Sequence, residues 1–183
     1  MERTTGSEKF PLGSTLPEFV LPNVDGRQVS DQYLREGKMA LVVFTCNHCP
    51  YVKGSESQLV EIASRYAADG LRVVTISSND AVKYPEDSFE KMKEKAQALK
   101  LPYPYLYDES QEVARLFDAA CTPECYLFDS SGVLVFHGAI NDSPKNLAGV
   151  SRAYLAKAVE QLHQGKRPDP SEAHPLGCSI KWR

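Results

Sequence analysis

Cys46 and Cys49 lie three positions apart, after an apolar run from Met39 to Thr45 and before a helical pattern. Two thiols at that spacing, where a strand passes into a helix, can close a small disulfide ring. Free N–H groups and the macrodipole at a helix start stabilise a thiolate there. The spacing therefore offers a dithiol–disulfide switch. It equally offers half of a soft metal site, because Cys with His suits copper or zinc. Cys46 is expected to be the more exposed thiol at the helix mouth, and so the nucleophile. Cys49, one turn in, would be the resolving thiol that attacks a mixed disulfide. Lowering a thiol pKa from about 8.5 to about 6.5 raises its thiolate fraction roughly 25-fold at neutral pH. A Brønsted slope near 0.5 returns about tenfold of that gain. The larger consequence of a low pKa is a better leaving group and a more oxidising pair.

Thr45, Asn47, His48 and Pro50 shape the surroundings of the pair. An imidazole near Cys46 would stabilise its thiolate further; His48 is otherwise a surface residue. Tyr51 and Lys53 either flank the site or lie on a helix face. Cys121 and Cys178 are candidate third thiols, whereas Cys125 suits a buried core position. His137, near a strand end, is the distant histidine a copper or zinc site would need. No second Cys-x-x-Cys completes a zinc centre, and the sequence gives no call for a bound cofactor or resident metal.

These residues need elements to position them. Leu16 to Pro22 reads as an extended stretch, and Asp25-Gly26 as a hairpin turn returning through Gln28-Val29. Ser30-Asp31 can cap a short helix through Leu34. Met39 to Phe44 and Leu71 to Ile76 are near-continuous apolar runs, as in strands buried on both faces. Pro50 suits a first helical turn, and Leu59, Ile62, Ala63 and Tyr66 continue the helix until Gly70. Ser88 to Leu99 reads as a helix with Phe89, Met92, Ala96 and Leu99 on one face. Tyr105 to Tyr107 is a short strand and Glu112 to Phe117 a short helix. Glu124 to Phe128 and Val133 to His137 form two strands across the Asp129–Gly132 turn. Leu147 to Leu162 is the last helix, and the proline-rich tail after it should be extended and irregular. Strands and helices in this order describe an α/β layer structure around a mixed sheet.

The chain has 183 residues, 42% hydrophobic and 25% charged, which fits one folded domain. A net charge of −3 gives no electrostatic case for nucleic acid or an anionic membrane as partner. Met1 to Phe10 has no apolar core, and no run is long enough to span a bilayer. A cytoplasmic protein is expected, in which closely spaced cysteines are catalytic or metal-binding rather than structural.

The chain resembles the thioredoxin fold, and within it the redoxin branch (the alkyl hydroperoxide reductase/thiol-specific antioxidant superfamily). The resemblance rests on Pro17-Glu-Phe-Val-Leu-Pro22 before the Asp-Gly turn, the Cys46–Cys49 pair after the first core strand, and Cys121-Thr122-Pro123 before a strand. The Cys-Asn-His-Cys-Pro stretch and the Gly177-Cys-Ser-Ile-Lys-Trp182 ending are similar to a group of uncharacterised thioredoxin-like proteins. The resemblance implies a three-layer α/β fold with a central mixed sheet and an N-terminal β-hairpin. It places an N-terminal extension at residues 1–11, the redoxin domain at 12–164, and an extended tail packing on it at 165–183. It implies a cis bond at Thr122-Pro123, in a loop that faces both cysteines and pairs with extended substrates. A histidine before the second cysteine is also found in strongly oxidising DsbA, so a potential above that of thioredoxin is expected.

Relatives often carry a buried acid that shuttles the proton of the second cysteine. The strand Met39 to Thr45 has none, and Glu124 is the candidate replacement, or else a solvated strand-start residue. The implied activity is thiol–disulfide exchange on a protein or small-molecule disulfide, served by a thiol reductant, with a homodimer as one possible assembly. The first alternative is an antioxidant thiol peroxidase. The Pro-x-x-x-Thr-x-x-Cys pattern of peroxiredoxins is absent, because Thr45 abuts Cys46 and no proline occupies the matching upstream place. The second alternative is a copper or zinc carrier.

Overall fold

The computed structural model describes residues 9–183. Most of the extension assigned to residues 1–11, and the reading of Met1 to Phe10 as lacking a leader, therefore fall outside the described residues.

The chain begins with a hairpin of β1 (Val20–Pro22) and β2 (Gln28–Ser30), turned at Gly26. Ser30 caps α1 (Asp31–Arg35) by accepting from the Gln32 N–H. The main sheet uses β3 (Met39–Thr45), β4 (Leu71–Ser77), β5 (Tyr105–Tyr107), β7 (Glu124–Phe128), β8 (Leu134–Gly138) and β9 (Glu172–Ala173), in the order β5-β4-β3-β7-β8-β9. Strand β3 is parallel to β4 and antiparallel to β7, so the sheet is mixed. Its helices are α2 (Pro50–Tyr66), α3 (Phe89–Leu99), α4 (Glu112–Leu116) and α5 (Tyr154–His163). A two-stranded ladder lies apart, between β6 (Cys121–Thr122) and β10 (Cys178–Ser179). No helix among the described residues is long and apolar enough to cross a membrane.

Strand β3 is buried at every position, which explains its near-continuous apolar sequence. Its alternate residues Ala40, Val42 and Phe44 join an aromatic-rich core with Phe117, Tyr126 and Phe128. Met39, Leu41 and Val43 face the other way, packing with Leu59 and Ile62 of α2 and Leu155 and Val159 of α5. The sheet is thus covered on both faces, and this thioredoxin-like architecture holds the carboxyl end of β3 rigidly against its neighbours.

Two expectations change. The last helix starts at Tyr154, while Leu147–Gly149 forms only a 3-10 turn. Asp142 is the reason: its carboxylate accepts from the Ser151 and Arg152 N–H groups at 3.0 Å, holding that stretch as a loop. Helix α3 is exposed, as expected of its Lys- and Glu-rich sequence: its apolar face buries Met92, half-buries Phe89 and Ala96, and leaves Leu99 48% exposed. The tail is ordered rather than irregular. Strand β9 joins the sheet edge beside β8, where Gly138 is required because a Cβ would fall 1.8 Å from the Ala173 carbonyl oxygen. Beyond β10, Ile180 is buried in the aromatic core and Trp182 lies under the Arg115 guanidinium, 5.0 Å from its centre.

Candidate active site

The carboxyl end of β3 delivers Thr45 and then Cys46, and a short turn through Asn47 and His48 leads to Cys49. Pro50 is the first residue of α2, so Cys49 is its N-cap, with extended backbone (φ −64°, ψ 126°). A residue before proline is disfavoured in the helical region, which fixes the helix start here. The helix mouth therefore belongs to Cys49 and not, as expected, to Cys46. The expected exposure of Cys46 is also corrected: Cys46 is 1% exposed and Cys49 0%. The Thr122 loop and the tail cover both sulfurs.

The Thr122-Pro123 bond is cis. Thr122 touches both thiols: its Oγ1 lies 3.4 Å from Cys46 Sγ, and its carbonyl accepts from Cys49 Sγ at 3.4 Å. The two sulfurs belong to one buried cluster with Val52. Because the Cys46 thiol donates to Cys49, its own ionisation is pushed well up, with burial and the Asp87 charge adding to the effect. Cys49 is pushed down to about 4, first by accepting from Cys46 and then by the thiol and N–H of Cys178. The directions are the reverse of those expected, with Cys46 raised and Cys49 lowered.

Asp87 organises the turn, a role the sequence did not reveal. It sits fully buried on a 3-10 turn, Pro85–Asp87, and its Oδ1 accepts from the Asn47 and His48 N–H groups at 2.8 and 3.3 Å. Asn79 donates to Oδ2. His48 Nδ1 lies 2.5 Å from Asp87 Oδ2, a close charge contact without hydrogen-bond alignment, and its ring stacks on Tyr84. His48 is therefore engaged with Asp87 rather than serving Cys46 alone. Tyr105 donates to Asn47 Oδ1 at 2.7 Å, and Lys95, paired with Glu56, donates to the Cys46 carbonyl. The proline turn before the Ser88 cap was readable as a loop, but nothing in it announced contact with Asn47, some forty residues earlier in the chain.

Glu124 is fully buried, which removes the solvated alternative. Its Oε1 meets His137 Nε2 at 2.7 Å and accepts from Tyr126; its Oε2 accepts from the Ala120 and Cys121 N–H groups. These contacts direct it toward Cys121, whose Sγ lies 3.8 Å away, rather than toward the pair. His137 stacks on Tyr126 within the same cluster. Cys125 is a fully buried core thiol, pushed up by burial. Tyr51 packs against the pair and carries the Lys145 ammonium over its ring. Lys53 is exposed on α2.

Cys178 reaches the site. It pairs across from Thr122 in the β6–β10 ladder and packs on Cys46, Cys49 and Val52. Its thiol is pushed up to about 11, mainly by burial and the neighbouring Cys49, against Lys181 and Lys145. A different trio suits a cation: Cys46, His48 and Asp87 bring their donor atoms within 4.8 Å of one another. Cys49 and His137, the ligands considered from sequence, do not join that group among the described residues.

The fold and the paired thiols define a thioredoxin-like protein of the redoxin superfamily. The model of the AhpC/TSA family matches residues 12–137, and the chain belongs to that family. It is similar over its full length to an uncharacterised conserved protein from Geobacillus kaustophilus, at 42% identity, 98% of that chain and a TM-score of 0.90. It resembles a hypothetical protein from Sinorhizobium meliloti at 36% identity, over 99% of each chain, with a TM-score of 0.91. A putative thiol:disulfide interchange protein DsbE from Chlorobium tepidum shares the fold at 20% identity, over 70% of this chain and 84% of that one, with a TM-score of 0.60. No functionally curated protein matches. Family membership and the paired thiols support a thiol-based redox function.

Proposed function

We propose that this protein is a thiol–disulfide oxidoreductase that cycles Cys46 and Cys49 between dithiol and disulfide, acting on protein or small-molecule disulfides. One observation carries this reading: both buried sulfurs contact the same residue, Thr122, beside the cis-proline. One of the two sulfurs ionises first, and the charge can pass between them. Passing the Cys46 proton to Cys49 moves the charge to Cys46, where the Thr122 hydroxyl can donate to it. Cys49 then carries the S–H that donates to the Thr122 carbonyl. Cys46 attacks a substrate disulfide and forms a mixed disulfide, expelling one substrate thiolate. Cys49, its proton lost again, attacks the Cys46 sulfur, closes the ring and releases the second substrate thiol. A thiol reductant returns the pair to the dithiol.

The test is turnover of oxidised glutathione or a model protein disulfide with dithiothreitol as electron donor. Loss of turnover in both Cys46→Ser and Cys49→Ser is the expected result; full turnover in either would sink the reading. The Cys46, His48 and Asp87 grouping favours one other reading, a thiol-based copper or zinc carrier. Reduced protein binding a stoichiometric metal, released by Asp87→Asn, would support it. Hydrogen peroxide consumption abolished by Cys46→Ser would instead mark an antioxidant peroxidase.

A further inference from the structure

We infer that Cys178 is a third redox thiol, which takes over the disulfide from Cys46 by bonding to Cys49. The inference rests on the Cys46–Cys49 dithiol reading above. Three observations carry it. Cys178 stands opposite Thr122 in an antiparallel ladder, and Thr122 is the residue that touches both sulfurs. The Cys178 side chain packs directly on the pair. Gly177 lets the tail approach this closely, since a Cβ there would fall 2.0 Å from the Thr122 carbonyl oxygen.

The tail is held in this position by its own backbone. The Ile180 N–H donates to the Ala120 carbonyl at 2.9 Å, and the Lys181 N–H to Asn79 Oδ1 at 2.9 Å. The Lys181 carbonyl accepts from the Asp80 N–H and from Gln111. An extended segment pinned directly after a thiol, and laddered to Thr122 at the thiol itself, presents that thiol in one geometry, which is the condition for rapid intramolecular exchange. The remaining cysteines are turned elsewhere: Cys121 toward Glu124, and Cys125 into the core.

The step is an exchange with no net oxidation. The Cys178 thiolate attacks the Cys49 sulfur of the closed Cys46–Cys49 ring. The Cys49–Cys178 bond forms, the Cys46–Cys49 bond breaks, and its electron pair leaves on Cys46 as a thiolate. The proton given up by Cys178 passes to Cys46 or to water. The oxidising equivalent is then stored between helix and tail, and Cys46 is free again while the protein remains oxidised. Reduction by an external thiol at Cys178 or Cys49 restores all three thiols.

The experiment uses the full chain, oxidised with diamide, alkylated and mapped by peptide mass spectrometry. In Cys46→Ser, Cys49 and Cys178 should leave the free-thiol pool together and appear as one linked peptide. In Cys178→Ser, the Cys46–Cys49 link should form. Absence of the Cys49–Cys178 link in Cys46→Ser, while Cys178→Ser still closes Cys46–Cys49, overturns the inference and leaves the dithiol reading standing. Failure of Cys178→Ser to close Cys46–Cys49 overturns both. Mapping the oxidised native chain guards against variants that misfold: a Cys49–Cys178 peptide beside the Cys46–Cys49 peptide is expected, and its absence counts against the inference.

Discussion

At the scale of single residues, the site is governed by where charge is permitted near two buried sulfurs. Asp87 holds the Asn47–His48 turn through their N–H groups, yet its negative charge opposes a thiolate on Cys46. A like charge nearby raises a thiol's pKa, so neutralising it lowers that pKa. In a Cys49→Ser background, Asp87→Asn should therefore move the pH profile of Cys46 alkylation toward lower pH. Asparagine retains an acceptor for the turn, so the shift reports charge rather than collapse. An unchanged or higher profile would show that Asp87 acts only as a scaffold. The pair itself was legible from its spacing. Which sulfur caps the helix was not, because the decisive fact is that Pro50 starts the helix and leaves Cys49 as its cap. Pro50 was assigned to the first turn from sequence; drawing the second step, that Cys46 then lies outside the helix, needed the structure.

At the scale of elements, the strands were readable because burial on both faces writes itself as an apolar run, as in Met39 to Thr45. Contacts made by backbone groups leave no such trace. Strand β10 is a two-residue element fixed by ladder bonds to β6, and nothing in Gly177-Cys178-Ser179 declares a partner near residue 122. The glycine carries the only local hint. Gly177→Ala should force the tail off Thr122, because backbone rather than a flexible side chain stands in the way. Faster alkylation of Cys178 and of Cys49 than in the parent protein, timed by mass spectrometry, is the expected result. Equal rates would mean that the strand shifts without uncovering the sulfurs.

At the scale of the whole molecule, the aromatic core is what keeps the β6 loop and the tail in register with β3. Phe117 contacts Phe10, Phe19, Phe44, Tyr126 and Phe128 and is fully buried. Truncating such a ring costs about 3–5 kcal/mol. Phe117→Ala should lower the unfolding free energy by about that amount in urea titrations. The folded fraction should still close the Cys46–Cys49 disulfide, since no ring atom of Phe117 belongs to the sulfur cluster. A loss below about 1 kcal/mol would show that the core closes over the gap.

The tail that covers the sulfurs also carries the chain's single tryptophan, Trp182, partly exposed beneath Arg115. The protein is thus supplied with its own fluorophore at the one segment whose position matters most. Indole emission responds to hydration and to a cation over its ring, so undocking the tail changes its colour and intensity. The native, unlabelled chain can report the state of its site optically, in real time, while thiols are being oxidised and reduced.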